Sequence, residues 1–264
     1  MNLSLITEQV CALSEEVSSF IKNESEKFNL DSVEDKGLNQ LVSYVDITAE
    51  NKIVEGLKNI LPESGFLTEE ETKDSFGEKY TWVIDPLDGT TNFIHSLPVF
   101  ATSIALLEDK TPIMGVIYEV NSQECFYAWQ NGGAWMNGKR IHMSSIDSLQ
   151  KSLLATGFPY YDFDGMKSYL TVLNKFMKST HGLRRMGSAA VDLAYTSCGR
   201  FEGFFEYGLN PWDIAAGICL IKEAGGIVSD FEGGDDYLFG KVIIAANSHV
   251  HEEMVKVIND EFNK

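Results

Sequence analysis

An α+β fold, with helices and sheets in layers, is what this sequence predicts, and three observations predict it. The chain opens on apolar residues at helical spacing. Its middle is a succession of strand-like runs parted only by turn residues, with no helix between them. Its second half alternates short apolar strands with helical stretches.

Ile6, Val10, Leu13, Val17 and Phe20 recur at helical spacing between Glu and Ser residues, which predicts an amphipathic first helix. A second helix is expected after Asp46, with Ile53, Leu57 and Ile60 on its apolar face and Pro62 ending it. Strands follow at Tyr80–Ile84, Phe100–Leu107, Ile113–Val120, Cys125–Gln130 and the Ala134–Met143 region. Glu108-Asp109-Lys110, Asn121-Ser122 and Asn131-Gly132-Gly133 are the turns between them, and the succession argues for an antiparallel sheet. Beyond it Ser152–Thr156 reads as a strand, Tyr169, Val172, Leu173 and Phe176 as a helix face, and Ala189–Ser197 as a helix closed by Cys198-Gly199. Phe201–Phe205 is a short strand, and Trp212–Ala224 a helix stopped by Gly225-Gly226. Gly226–Phe231 and Lys241–Ala246 are strand-like, and Ser248 is the expected cap of a last helix carrying Met254, Val257 and Ile258. A seam near Ser144–Gln150 separates an N-terminal half, residues 1–143, from a C-terminal half, residues 144–264. No flexible linker marks it, so one intimate unit is expected.

With 264 residues the chain can bury a proper core, and its 44% hydrophobic and 23% charged residues are ordinary for a globular protein. The formal net charge of -18 is not ordinary. A field of that sign repels nucleic-acid phosphates and anionic lipid, which argues against both as partners. It also repels a phosphorylated substrate, unless bound cations reverse the sign locally. Cys11, Cys125, Cys198 and Cys219 are scattered with no CxxC pair, which favours buried reduced thiols over disulfides or zinc. The first residues lack a basic region followed by an apolar core, and no apolar run approaches membrane-spanning length, so a cytoplasmic location is expected.

The run Asp85-Pro86-Leu87-Asp88-Gly89-Thr90-Thr91-Asn92 carries the chemistry. Two carboxylates three residues apart, a main-chain carbonyl and two hydroxyls are hard oxygen ligands of the kind Mg²⁺ takes. Two acids at the end of an apolar strand repel each other unless a cation sits between them. Gly89 lets the backbone turn tightly and brings amides close to a bound anion. Further acids are candidates for the same site: Glu69 in the run Glu69-Glu70-Glu71, Asp46 at a helix start, and Asp213 after Asn210-Pro211-Trp212. Each of these alone reads more simply as a solvated loop residue or a helix cap; convergence of all of them is what metal-assisted phosphate hydrolysis requires.

Trp82-Val83-Ile84-Asp85-Pro86-Leu87-Asp88-Gly89-Thr90-Thr91-Asn92-Phe93 closely resembles the first signature of the inositol monophosphatase family. Pro211-Trp212-Asp213-Ile214-Ala215-Ala216-Gly217, continuing to Glu223-Ala224-Gly225-Gly226, resembles the second, and Phe66-Leu67-Thr68-Glu69-Glu70 is similar to its upstream acidic motif. The pieces occur in the family's order, from Lys36-Gly37 to Ala245-Ala246-Asn247. The resemblance implies a layered α/β/α/β/α sandwich, the inositol monophosphatase or sugar phosphatase fold, as a homodimer, and Mg²⁺-dependent hydrolysis of a phosphate monoester by metal-activated water. By position, Glu69, Asp85 and the Leu87 carbonyl would hold one metal. Asp85, Asp88 and Asp213 would hold a second, and a third, weaker ion near Glu69 is expected. Thr90, backed by Asp46, would help activate the water. Gly89 and Thr90 would offer main-chain N–H groups to the phosphate. Gly187, Ser188 and Ala189 would line the alcohol side, and Glu206 matches the acid that binds a substrate hydroxyl. The chain departs from the family pattern at Thr68, where Gly is frequent, and at Gln40 and Ser43, where Asp and Thr are common.

Inositol monophosphate is the expected substrate. Fructose-1,6-bisphosphatase and 3′(2′),5′-bisphosphate nucleotidase activities are the alternatives inside the superfamily, and a regulatory protein-binding role is the non-enzymatic one. Glu206 favours a polyol, since a carboxylate accepts hydroxyl hydrogen bonds and repels a second phosphate. Arg184 and Arg185 are candidates for the substrate phosphate, and His95 reads as a packing or surface residue.

Overall fold

A computed structural model describes residues 1–28, 33–37, 40–71, 75–159 and 163–263. Asn39, in the segment leading to Asp46, lies outside them.

Two helices open the sandwich. Helix α1 spans Leu3–Ser25 and α2 spans Tyr44–Ile60, after a hairpin of β1 (Val33–Gly37) and β2 (Gln40–Ser43). The buried stripe of α1 includes Ser14, Ser18 and Ile21, whereas Leu13 and Phe20 sit at its half-exposed margin. The helix is therefore rotated slightly from the face that its apolar residues alone define. Under α1 and α2 lies a sheet of β3 (Gly65–Thr68), β4 (Tyr80–Asp88), β5 (Ala101–Glu108), β6 (Thr111–Glu119), β7 (Glu124–Trp129), β8 (Gly133–Met136) and β9 (Lys139–Ile141), in that spatial order. From β4 onward neighbouring strands are antiparallel, as the unbroken succession of strands predicts; only β3, which the sequence reading passed over, joins parallel to β4. A short helix α3 (Thr90–Ile94) follows β4 directly.

The second sheet has the order β11-β10-β12-β14-β13. It is formed by β10 (Leu153–Thr156), β11 (Gly182–Arg184), β12 (Gly203–Tyr207), β13 (Ile227–Ser229) and β14 (Val242–Ala246). Helices α5 (Ala189–Ser197) and α6 (Pro211–Glu223) lie between the two sheets, and α4 (Met166–Ser179) and α7 (His251–Phe262) cover the far face. The order is thus helix, sheet, helix, sheet, helix, the α/β/α/β/α sandwich expected. Three apolar cores fill it. One joins α1 and α2 to the first sheet through Ile53, Trp82 and Ile104. The central one joins both sheets through Leu193, Ile218 and Phe204. The third seats α4 and α7 through Phe176, Phe205 and Met254. The two middle helices are apolar all round because both their faces are covered. Their approach is close: a Cβ on Gly115 of β6 would stand 2.5 Å from the Ala216 carbonyl oxygen of α6.

Two helix starts differ from expectation. Ser248 does not cap α7; Asn247 Oδ1 accepts from the amides of His249 and Val250 in a turn, and the helix begins at His251. Asp46 and Asp213 are not N-caps. Each is the third residue of its helix, reaching back to the cap's backbone in a capping box with Ser43 and Asn210 respectively.

Candidate metal centre and substrate cavity

Asp85 and Asp88 share a face because β4 is irregular. Residues three apart on a regular strand point to opposite sides. Here Asp85 pairs with Ser103 and Asp88 with Ala101, so one residue of β4 is extra, and the bulge carries Pro86, whose missing N–H is tolerated there. The second carboxylate is thereby turned onto the side of the first. Parallel pairing of β3 puts its carboxyl end at the same edge, where the Glu69 amide bonds the Ile84 carbonyl at 3.2 Å. Asp213 arrives from the opposite layer at the start of α6, its Oδ2 2.6 Å from the Asn210 amide. One carboxylate oxygen from each of Asp85, Asp88 and Asp213 lies within 4.8 Å of the others.

Two helix N-termini, those of α5 and α6, meet this cluster, which offsets some of the repulsion between its acids, and a third lies behind it. The start of α5 holds Asp88: the Ser188 hydroxyl and the Ala190 amide both donate to Asp88 Oδ2 at 2.6 Å. The start of α6 carries Asp213, and the start of α2 carries Asp46. Asp46 is 1% exposed and sits behind the cavity wall; its Oδ2 accepts from the Ser43 amide and hydroxyl. The Thr90 hydroxyl lies 3.0 Å from both Asp46 Oδ1 and the Leu87 carbonyl. It has one proton, so it serves one of them at a time.

Burial drives the electrostatics. It pushes Asp88 up to about 6, against the lowering pull of Ser188 and Ala190. Burial, reinforced by Asp88, pushes Asp213 up to about 8. Burial again, followed by neighbouring acids, raises Asp85 and Glu69 well above the carboxylate range. Asp46 is raised by burial and pulled back by its hydrogen bonds. Acids this close and this buried resist ionising together, and a cation between them would relieve that. All-oxygen donors in this number suit a hard divalent ion, so the residues fit one.

A cavity of about 680 Å³ opens over the cluster. Glu69, Asp85, Leu87, Asp88, Gly89, Thr90 and Asp213 line it together with Gly187, Ser188, Ala189 and Glu206. Of the site residues expected from the sequence, all line this one cavity except Asp46 behind it and the phosphate candidate Arg184 outside it. The Gly89 amide faces the Asp88 carboxylate. Arg185 lines the cavity with its guanidinium 5.6 Å from the Phe158 ring, while Arg184 is exposed outside it and His95 is exposed beyond α3.

Two acids were missed in the sequence. Glu50 is fully buried one turn after Asp46 and accepts from the Glu70 amide at 2.8 Å, which fixes the turn following Glu69. Asp192, 1% exposed on α5, lines the cavity with an Oδ1 that has no hydrogen-bond partner among the described residues. Glu50 had a signal in its four-residue spacing from Asp46; Asp192 had one in being the lone acid of an apolar helix.

The profile of the Inositol monophosphatase family matches residues 2–262. The chain is 42% identical over 229 residues to the Nus factor SuhB of Escherichia coli, covering 86% of each sequence. It is 41% identical over 227 residues to the inositol-1-monophosphatase of Mesorhizobium japonicum, covering 84% of each. Among solved structures, the extragenic suppressor protein suhB from Bartonella henselae is similar with a TM-score of 0.91 at 37% identity, over 96% of this chain and 98% of that one.

Proposed function

Because this chain belongs to the inositol monophosphatase family, we propose that it is a Mg²⁺-dependent phosphatase whose substrate is an inositol monophosphate. The observation that carries the reading is the convergence of Asp85, Asp88 and Asp213 with Glu69 in one cavity that Glu206 also lines. In this reading Glu69, Asp85 and the Leu87 carbonyl would hold one Mg²⁺, Asp85, Asp88 and Asp213 a second, and Glu69 would contribute to a third. When bound, such ions neutralise the phosphoryl oxygens, lower the pKa of water and stabilise the leaving alkoxide.

The chain's own groups do the rest. The Thr90 hydroxyl donates a hydrogen bond to Asp46 Oδ1, so as Thr90 Oγ1 takes a proton from the attacking water its own proton passes to the Asp46 carboxylate. The Thr90 amide, with that of Gly89, orients the phosphate. Ser188 and Ala190 fix the Asp88 carboxylate at one angle. Glu206 accepts hydrogen bonds from hydroxyls of the leaving alcohol, with Gly187 and Ala189 shaping the wall beside it. A homodimer is part of the proposal, and light scattering on the purified chain tests it.

A second reading has its own support. Relatives at 42% identity carry the name Nus factor, which is not the name of a hydrolase, so a protein-binding role joins the phosphatase in this proposal. The deciding experiment measures phosphate release with Mg²⁺ from inositol monophosphate, fructose bisphosphate and adenosine bisphosphate, with and without chelator. Preference for inositol monophosphate, abolished by chelator, is expected. Preference for a bisphosphate overturns the polyol assignment, and no release from any ester leaves the binding role standing alone.

A further inference from the structure

Glu206 occupies its position because of a side chain that is missing next to it. It lies on β12, 5% exposed, and its carboxylate accepts no hydrogen bond from the described residues. Strand β12 runs parallel to β10, with Thr156 opposite Phe205, so the next residue of each strand, Gly157 and Glu206, come side by side at the cavity edge. A Cβ on Gly157 would stand 2.0 Å from Glu206 Oε1 and 2.1 Å from Cδ and Oε2. The carboxylate fills the volume that any other residue's side chain would take.

The glycine is not required by its backbone, which does not lie in the left-handed region. Nor can the strand end recede to make room. The Tyr169 hydroxyl donates to the Gly157 carbonyl at 2.5 Å, and the Thr156 hydroxyl donates to the Phe205 carbonyl at 2.7 Å, pinning β10 to α4 and β12. The contact a Cβ would make is with the end of a flexible side chain, so the carboxylate moves and the fold stays.

We propose that Gly157 is the positioning residue that determines specificity on the alcohol side: by having no Cβ it lets Glu206 hold its carboxylate where substrate hydroxyls arrive. The inference rests on the polyol-phosphatase reading above. Gly157 touches no reacting atom and acts through Glu206.

Steady-state kinetics of the Mg²⁺-loaded full chain test it, with Gly157→Ala, Glu206→Gln and the double variant. Inositol monophosphate is compared with p-nitrophenyl phosphate, whose leaving group has no further hydroxyl. Gly157→Ala is expected to lower the ratio of kcat/KM between the two esters about tenfold, the scale of a lost hydrogen bond to a charged group, mostly through KM. The double variant is expected to match Glu206→Gln alone, because both changes remove one interaction. An unchanged ratio, equal loss on both esters, additive losses, or a Gly157→Ala protein that does not melt cooperatively would each overturn the inference. Wild type that cleaves neither ester would sink the phosphatase reading and this inference with it.

Discussion

At the scale of single residues, the acids of the cluster are crowded and buried at a cost that pH exposes. The folded-state pKa values of Asp88 and Asp213 are raised, to about 6 and about 8, chiefly by burial. A raised acid binds its proton more tightly folded than unfolded, so its contribution to stability is complete below the ordinary carboxylate range and is lost as pH rises through the folded value. Chelator-treated protein is therefore expected to lose stability from about pH 4 to about pH 8, most steeply between about 4 and 6, where both groups hold a proton in the folded state that they lose unfolded, in urea melts read by circular dichroism. A flat profile would mean that the cluster is not desolvated as described. Thr90 supplies a second test. Thr90→Ser keeps the hydroxyl beside Asp46 and is expected to keep most turnover, while Thr90→Ala is expected to lower kcat by about 10²-fold or more. Equal kcat in both would remove Thr90 from proton transfer. The residues legible in the sequence were those whose neighbours in the chain betray them. Asp85 and Asp88 end an apolar strand together, and Asp213 follows Asn210-Pro211 at a helix start. Glu50 and Asp192 carried only the faint signals of spacing and isolation, because an acid on a helix reads as solvated until the layer that buries it is known.

At the scale of elements, the site exists because strand ends and helix starts meet at one edge. The Ser188 hydroxyl donates to Asp88 and accepts from the Val191 amide, so it caps α5 and holds a proposed ligand at once. Ser188→Ala is expected to cost about 1 kcal/mol of stability through the lost cap. It is also expected to weaken Mg²⁺ activation measurably, and a loss of stability with unchanged Mg²⁺ dependence would separate the two roles. The contact of α6 with β6 gives a sharper expectation. The Gly115 Cβ would meet backbone, the Ala216 carbonyl, rather than a movable side-chain end. Gly115→Ala should thus destabilise by about 1–3 kcal/mol, the range for overpacking, and calorimetry that finds no loss would refute the close approach. Long, strongly patterned elements were legible: α1, α2, α5, α6 and strands β4 to β7 fall within a few residues of expectation. The short β3, β11 and α3 were not, because three to five residues carry too little pattern. Pairing partners far along the chain define β3 and β11, and the turn at Gly89 defines α3.

At the scale of the whole molecule, a net charge of -18 and an acidic cavity floor oppose both folding and the approach of a phosphate ester. Divalent ions in the cluster would relieve both at once, which separates specific binding from general screening. Monovalent salt weakens long-range repulsion among surface charges and leaves the desolvated cluster unpaired. An ion held between Asp85, Asp88 and Asp213 removes that local repulsion and binds the folded state alone. By mass action, Mg²⁺ at a hundred times its dissociation constant would add about 2.7 kcal/mol per site. For a chain of this size each kcal/mol corresponds to about 2–4 °C in Tm, so saturation is expected to raise Tm by about 5–10 °C for one ion. Sodium chloride at matched ionic strength should deliver only a fraction of that rise. Asp213→Asn, which removes a charge from the cluster, should keep the response to sodium chloride and lose most of the response to Mg²⁺. If instead the variant and the wild type gain equally from Mg²⁺, the stabilisation comes from the surface charge as a whole, and the cavity acids are not where the ion resides.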